Sequence, residues 1–196
     1  MKNLKELLTA LIIILVLSHS IAQNHKKEET LAGIYLTLAD FKIDKLTYNV
    51  DCVNEKQKIK LHDFFAKPYL DVYHKGKKIT LQKKDTYGYK DCHGKTFRFF
   101  DNLEYELAES GGISIYFIQQ SEAINKSFVN VNDYYFSVKP DGEIKPLTMQ
   151  NLKSAFPDNH KFHDGLEADL KGNNMAEFDT FHKMYKVNHI YQMSLN

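Results

Sequence analysis

The sequence predicts an α+β fold in which an antiparallel β-meander sheet of about seven or eight strands is followed by a C-terminal helical cap. Apolar and polar residues alternate in several segments before residue 147, which is the pattern of half-buried strands. Closely spaced turn residues separate these segments and favour hairpins over crossover connections. After Thr148, capping residues and helical spacing replace the alternation.

Strands are predicted between residues 33 and 146. Leu103, Tyr105 and Leu107 alternate with Glu104 and Glu106, and the same period appears around residues 59–61, 79–81 and 134–138. The segment 113–118 is apolar on both faces, so we expect its strand at the centre of the sheet.

Helices are predicted mainly at the C-terminal end. A short early helix over 38–42 is expected because Thr37 and Asp40 can form a capping box. Thr148 can cap a helix that Pro157 then ends. Further helices are predicted over 158–172 and from 174 to at least 186, and residues 187–193 fit either more helix or a last strand.

The N-terminus has the layout of a secretory signal peptide. Lys2 and Lys5 precede an uncharged apolar run at 7–17, and small residues at 20–22 place a cleavage site between Ala22 and Gln23. The run is shorter than the ~20 residues that span a bilayer, so no membrane span is expected after signal removal. The predicted organisation is a signal peptide (1–22), a flexible lead-in (23–32) and a single α+β domain (33–196), strand-rich over 33–146 and helical over 148–193.

Charge argues against a nucleic-acid partner. The chain has 26 lysines plus arginines against 25 aspartates plus glutamates, so no global field draws it to polyanions. Arg98 is the only arginine. Because arginine supplies the planar fork that binds phosphate in a bidentate manner, this composition also disfavours phosphate-rich ligands.

The two cysteines, Cys52 and Cys92, are predicted to form a disulfide. An even pair in an exported chain is most simply a bond between neighbouring hairpins. Two free thiols, or a zinc site that also uses His93, remain as alternatives, although the spacing fits no common zinc pattern.

His160, His163 and Glu167 are the low-ranking candidates for a metal site. On a helix, these three side chains fall within about 60° of one another. Two imidazoles and a carboxylate on one face can form part of a divalent-metal site. However, a helix that begins near Asp158 directs its positive dipole end toward the ion, and the spacing matches no established zinc motif. We therefore predict no metal here.

His182 and His189 are interpreted as core histidines, each with one hydrogen-bond partner. If the last helix is continuous, both lie on its apolar face. No nucleophile motif, phosphate loop or dinucleotide fingerprint occurs, and the residues at 110–112 fit a turn rather than a nucleophile elbow. No catalytic residue and no cofactor are predicted.

Three segments, 64–69, 156–163 and 181–187, resemble small uncharacterised exported proteins of the Bacteroidota. The small residues followed by Gln at the end of the signal peptide are similar to signals of that phylum. The resemblance implies the compartment, periplasmic or extracellular, and assigns no activity to any residue.

The sequence therefore favours an exported binding or interaction module of the cell envelope, with an envelope or extracellular ligand. The alternative is a metal-assisted hydrolase that uses His160, His163 and Glu167. An enzyme should bring those side chains into a concave pocket with a further polar partner.

We expect the mature protein to begin at Gln23, because small residues occupy positions −3 and −1 of the cleavage site. Intact mass and N-terminal sequencing of protein from the native envelope measure this. Recovery of chains that still carry Met1 in the membrane fraction would contradict it.

Overall fold

The structure is a computed structural model that describes residues 31–52, 59–62, 67–124, 127–170 and 174–195. The predicted signal peptide and its cleavage site at Ala22 and Gln23 lie outside these residues. None of the helices within these ranges combines the length and the hydropathy that crossing a bilayer requires.

The described elements confirm the α+β class. In chain order the strands are β1 (Leu31–Tyr35), β2 (Thr47–Asp51), β3 (Ile59–Lys60), β4 (Tyr69–His74), β5 (Lys77–Gln82), β6 (Gly88–Lys90), β7 (Thr96–Phe100), β8 (Leu103–Glu109), β9 (Ser114–Ile124), β10 (Ser127–Ser137), β11 (Lys145–Pro146), β12 (Phe178–Asp179) and β13 (Met184–Tyr185). The helices are α1 (Leu38–Lys42), α2 (Met149–Ala155), α3 (His160–Asp169) and α4 (Lys186–Ser194), and Lys83–Asp85 form a single 3₁₀ turn. β1 begins at Leu31, two residues inside the predicted lead-in.

The main sheet has eight strands in the order β11-β10-β9-β8-β7-β6-β1-β2. All its pairings are antiparallel, and β6 to β11 follow one another as the predicted meander. β9, which follows Ile113 and carries most of the apolar segment 113–118, lies between β8 and β10, as its two apolar faces predict. β1 pairs with β6, so the chain leaves this sheet after β2 and returns at β6.

The segment between β2 and β6 forms a second sheet, in the order β3-β4-β5, which the sequence analysis did not separate from the first. Leu70 and Val72 of β4 are completely buried in a cluster with Ile34 and Phe99 of the main sheet. Burial of these side chains on both sheets holds the two layers together.

The second sheet and the C-terminal helices cover the same face of the main sheet. Phe97 packs with the second sheet, whereas Tyr134 packs with the helices. Phe97 lies directly opposite Glu106 on the next strand. Glu106 lies opposite Phe117, which in turn lies opposite Tyr134. Since directly opposed residues in adjacent strands point to one side, all four lie on one face.

The helices bury a larger core against β9 and β10. Its members are apolar side chains from the sheet and from all three C-terminal helices: Ile113, Ile115, Phe136, Leu152, Phe162, Leu166, Val187 and Ile190. Phe162, Leu166 and Leu170 form the apolar stripe predicted for α3, and all three are buried. The opposite face of the sheet carries a smaller cluster of Tyr105, Tyr116 and Ile144.

The predicted caps are confirmed for two helices. Thr37 and Asp40 form the capping box of α1, and the Thr148 side chain accepts a hydrogen bond from the backbone N–H of Asn151 at the start of α2. The start of α3 at His160 is two residues later than expected, because Asn159 is its cap. Residues 187–193, left open between helix and strand, lie in α4.

The helix predicted over 174–186 is wrong, because this segment contains a turn and the hairpin β12–β13. The Asp179 side chain accepts hydrogen bonds from the backbone N–H groups of Phe181 and His182. A side chain that engages nearby backbone donors competes with helix formation. Lys183 has a φ of 55°, a left-handed conformation that a helix does not allow.

Asn188, on α4, connects the helices to the main sheet. Its Oδ1 accepts from the backbone N–H of Ile113 at 2.9 Å, and its Nδ2 donates to the Ile113 carbonyl at 2.8 Å. Nδ2 also donates to Glu109, whose other carboxylate oxygen accepts from the backbone N–H of Tyr185 at 2.7 Å. Asn188 is 1% exposed, so these bonds form away from water and fix where α4 begins.

Two glycines allow α4 to pack closely against the main sheet and against α3. A Cβ on Gly112 would come within 2.8 Å of the Tyr191 ring, and a Cβ on Gly165 within 2.5 Å of Ile190. Both distances are shorter than van der Waals contact, so any larger residue would displace α4 from the sheet or from α3.

The predicted disulfide is confirmed, with 5.5 Å between the Cα atoms of Cys52 and Cys92. Cys52 follows β2 and Cys92 follows β6, and β1 lies between these strands in the sheet. The bond therefore spans β1 and closes the segment that contains the second sheet.

Replacing both Cys52 and Cys92 by serine should lower the free energy of unfolding by about 4 kcal/mol, because the unfolded chain regains the entropy of a loop of 40 residues. Urea unfolding of the oxidised protein and of the double variant measures the difference. Equal midpoints for the two would contradict this expectation.

Asn188→Ala should lower the free energy of unfolding by about 2–4 kcal/mol, because it leaves both backbone groups of the buried Ile113 without their partner. Met193→Ala is the control on the same helix, since Met193 is 61% exposed and should change stability by less than about 0.5 kcal/mol. Similar losses for both variants would show that Asn188 is not the anchor of α4.

Candidate metal centre

The histidines predicted on α3 are engaged separately rather than gathered around one point. The rings of His160 and His163 are 5.9 Å apart between centroids. His163 Nε2 donates to the Phe156 carbonyl at 2.9 Å, which removes that nitrogen as a ligand. Glu167 is paired with Lys153, and this contact holds the pKa of Glu167 below its usual range. The side chains of His160, His163 and Glu167 are therefore not arranged to bind one metal ion together.

A different group of three does converge. Among the described residues, Asp179, His182 and His189 are the only three metal-ligating side chains whose ligand atoms all lie within 4.8 Å of one another. Asp179 ends β12, His182 lies in the turn before β13, and His189 lies in the first half of α4.

The hairpin positions the carboxylate. Asp179 Oδ1 accepts from the backbone N–H groups of Phe181 at 2.9 Å and His182 at 3.0 Å. This leaves Oδ2 to face the two imidazoles, at 2.7 Å from His182 Nδ1 and 3.8 Å from His189 Nδ1. The turn that ended the predicted helix is therefore the same turn that orients the site.

The second histidine is positioned by α4. His189 directly follows Asn188, whose buried hydrogen bonds fix the start of the helix. The His182 and His189 rings are 3.8 Å apart between centroids and inclined by 31°. Both δ nitrogens lie near Asp179 Oδ2, and an ion bound here would displace the proton that His182 Nδ1 donates to this oxygen.

The electrostatics favour an anionic ligand oxygen. The side-chain hydrogen bond from His182 lowers the pKa of Asp179 to about 2, with further contributions from the backbone N–H groups of His182 and Phe181 that outweigh the opposing effect of burial. Asp179 is therefore ionised throughout the physiological range, as a metal ligand has to be.

The three side chains remain open to solvent, with 17% of Asp179, 39% of His182 and 30% of His189 exposed. The prediction that both histidines are core residues is therefore wrong. An ion bound here would have three protein ligands and at least one position on the open side for water, as in zinc sites that are not closed.

The spacing of the ligand atoms suits such an ion. Ligand atoms of a tetrahedral zinc site lie about 3.3 Å apart when each is about 2.0 Å from the metal. The two distances from Asp179 Oδ2 to the histidine nitrogens, 2.7 and 3.8 Å, lie on either side of this value. All three ligand atoms lie within 4.8 Å of one another, so the imidazole nitrogens would have to move closer together to bind one ion at coordination distance.

Asp179 was not predicted as part of a site. An aspartate three residues before a histidine fits a turn stabilised by the aspartate side chain, but it also fits neighbouring positions on a helix. Reading 174–186 as a helix placed the histidines on an apolar stripe and left the aspartate unused. Interpreting residues 179–182 as a turn would have indicated that Asp179 and His182 lie close together.

No family model, curated protein or solved structure matches this chain. The likeness to exported Bacteroidota proteins therefore stays an expectation from the sequence. The chemistry of Asp179, His182 and His189 is what bears on function.

Proposed function

We propose that this protein is an exported binding protein whose ligand is a divalent transition-metal ion held by Asp179, His182 and His189. The supporting observation is that two imidazole nitrogens and an ionised carboxylate oxygen converge within 4.8 Å. The ligands come from a hairpin whose turn is stabilised by Asp179 and a helix held by Asn188, and Glu109 contacts both elements.

The ligand types narrow the choice of metal. Imidazole nitrogens suit Zn²⁺, Cu²⁺ and Ni²⁺, whereas Mg²⁺ and Ca²⁺ prefer shells made of oxygen atoms. With two nitrogens and one oxygen, the site should bind zinc or copper in preference to magnesium or calcium. An open coordination position also favours exchange of the ion with solvent or with another molecule.

Binding is favoured over catalysis by the surroundings of the site. Two clefts formed by described residues, each of about 450 Å³, are lined by other parts of the chain and include none of the three ligands. A metal hydrolase needs a pocket that holds the substrate beside the ion. The hydrolase alternative on His160, His163 and Glu167 is weakened further, because Phe156 and Lys153 engage two of those side chains.

Export is supported by two features. Residues 1–22 have the layout of a signal peptide. Cys52 and Cys92 form a disulfide, a bond that persists mainly in oxidising compartments. The metal would then be met in the periplasm or outside the cell.

Calorimetric titration of Zn²⁺ into untagged protein, cleared of metal with a chelator, should give one equivalent bound. His182→Ala, His189→Ala and Asp179→Asn should each weaken binding at least tenfold, or about 1.4 kcal/mol, because each removes one of three ligands. Asp179→Asn keeps an oxygen for the backbone N–H groups of the turn, so its effect separates the ligand role from folding.

His160→Ala is the matched control. His160 is also an exposed histidine with another imidazole nearby, but it belongs to no ligand group among the described residues. Its affinity for Zn²⁺ should equal that of the unaltered protein. Absence of binding, or equal loss in the control, would overturn the proposal.

A further inference from the structure

A cleft of about 450 Å³ lies away from the metal centre. The 3₁₀ turn at 83–85, the end of β7 and the start of α1 form most of its wall, and Asp141 completes it. A volume of this size suits a small ligand. The distribution of charge around the cleft indicates which kind.

Arg98, the single arginine, lines this cleft and is 5% exposed. Its Nη2 donates to the Gly142 carbonyl at 2.6 Å, and its Nη1 lies 3.4 Å from both the Tyr116 and the Ser137 hydroxyl groups. The guanidinium also lies 5.7 Å from the centroid of the Tyr87 ring, within range of a cation–π interaction. None of these neighbours is negatively charged, so they do not neutralise the positive charge of the buried Arg98 guanidinium.

In the described part of the chain, no carboxylate forms an ion pair with Arg98. Its Nε has no hydrogen-bond partner there. Since no buried side-chain nitrogen or oxygen among these residues lacks a partner, Nε is in contact with solvent. Because Arg98 lines the cleft, we expect this donor to reach a ligand bound there. Charged guanidinium groups in such surroundings bind carboxylates strongly.

Three carboxylates line the same cleft: Asp85, Asp101 and Asp141. All three are exposed, and within the described ranges none has a lysine or arginine at ion-pair distance. Two lysines also line the wall: Lys83 is paired with Glu104 at 2.7 Å, and Lys84 is exposed. Unpaired charges of both signs therefore surround one cavity without neutralising each other.

The opposite charges border the same short backbone segment, 140–142. Arg98 Nη2 donates to the carbonyl of Gly142, which directly follows Asp141, and the Tyr87 hydroxyl donates to the carbonyl of Pro140, which directly precedes it. Arg98 and Asp141 therefore line the same part of the cleft.

We propose that this cleft binds a small zwitterion, namely a free α-amino acid, with its carboxylate on Arg98 and its ammonium group among Asp85, Asp101 and Asp141. A ligand with only a carboxylate meets the repulsion of three acidic groups, and one with only an ammonium group meets the field of a poorly solvated guanidinium. The Tyr87 and Phe100 rings contribute apolar wall for the rest of the ligand. This site is independent of the metal centre.

The test is calorimetric titration of the untagged protein with each of the common amino acids, in the presence of EDTA so that chelation by a bound metal does not contribute. We expect binding of at least one amino acid. Its N-acetyl derivative, which lacks the ammonium group, and its amide, which lacks the carboxylate, should each bind at least tenfold more weakly. Asp141→Asn should weaken binding of the amino acid but not that of the N-acetyl derivative, whose affinity should rise because part of the acidic repulsion is removed.

Asp164→Asn is the matched control, because Asp164 is an exposed aspartate on α3 and does not line the cleft. It should leave the affinity unchanged. Arg98→Lys, checked for folding by circular dichroism, should weaken binding of the amino acid. Binding of no amino acid, equal affinity for either derivative, or unchanged affinity in Asp141→Asn would overturn the proposal.

Discussion

The buried hydrogen bonds between Asn188 and Ile113 are the interaction on which the C-terminal half of the structure depends. An amide side chain here takes the place of a neighbouring strand, since it donates to and accepts from the same residue at the start of β9. Glu109 extends this contact to the backbone of Tyr185, just before α4. Because a buried polar group without its partner is costly, α4 has one favourable position on the sheet. His189 follows directly and is placed beside the β12–β13 hairpin by the same contact.

The two proposed sites differ in how their charges are compensated. At the candidate metal centre, Asp179 is stabilised as an anion by a turn and faces two imidazoles. At the cleft, Arg98 is buried among rings and carbonyl or hydroxyl groups while the nearby carboxylates stay apart. In each case a charged side chain is not fully compensated by groups of the protein and can interact with a ligand. Binding sites commonly differ from structural ion pairs in this respect.

Local patterns predicted the parts of the fold whose determinants lie close together in the chain. The alternation around Leu103 and the turn residues between strands are sufficient for a meander, because hairpins need only neighbouring segments. Thr148 is sufficient to start α2, since the cap bond is made three residues away. The second sheet could not be predicted in this way. Its position depends on contacts between residues that are distant in the chain, such as Leu70 of β4 with Ile34 of the main sheet. The helix predicted over 174–186 was wrong for a related reason, because the spacing of the residues in this segment fits a helix and a turn equally well.

The sequence by itself determined the α+β class, the antiparallel meander of β6 to β11, the early capping box and the pairing of Cys52 with Cys92. Each follows from residue type and short-range spacing, which a single chain displays openly. Only the tertiary structure decided which histidines converge and where the single arginine lies. His182 and His189 meet because a turn and a helix anchored to β9 are brought side by side. Long-range placement of this kind depends on packing and buried hydrogen bonds between distant segments, and these leave no periodic trace in the sequence.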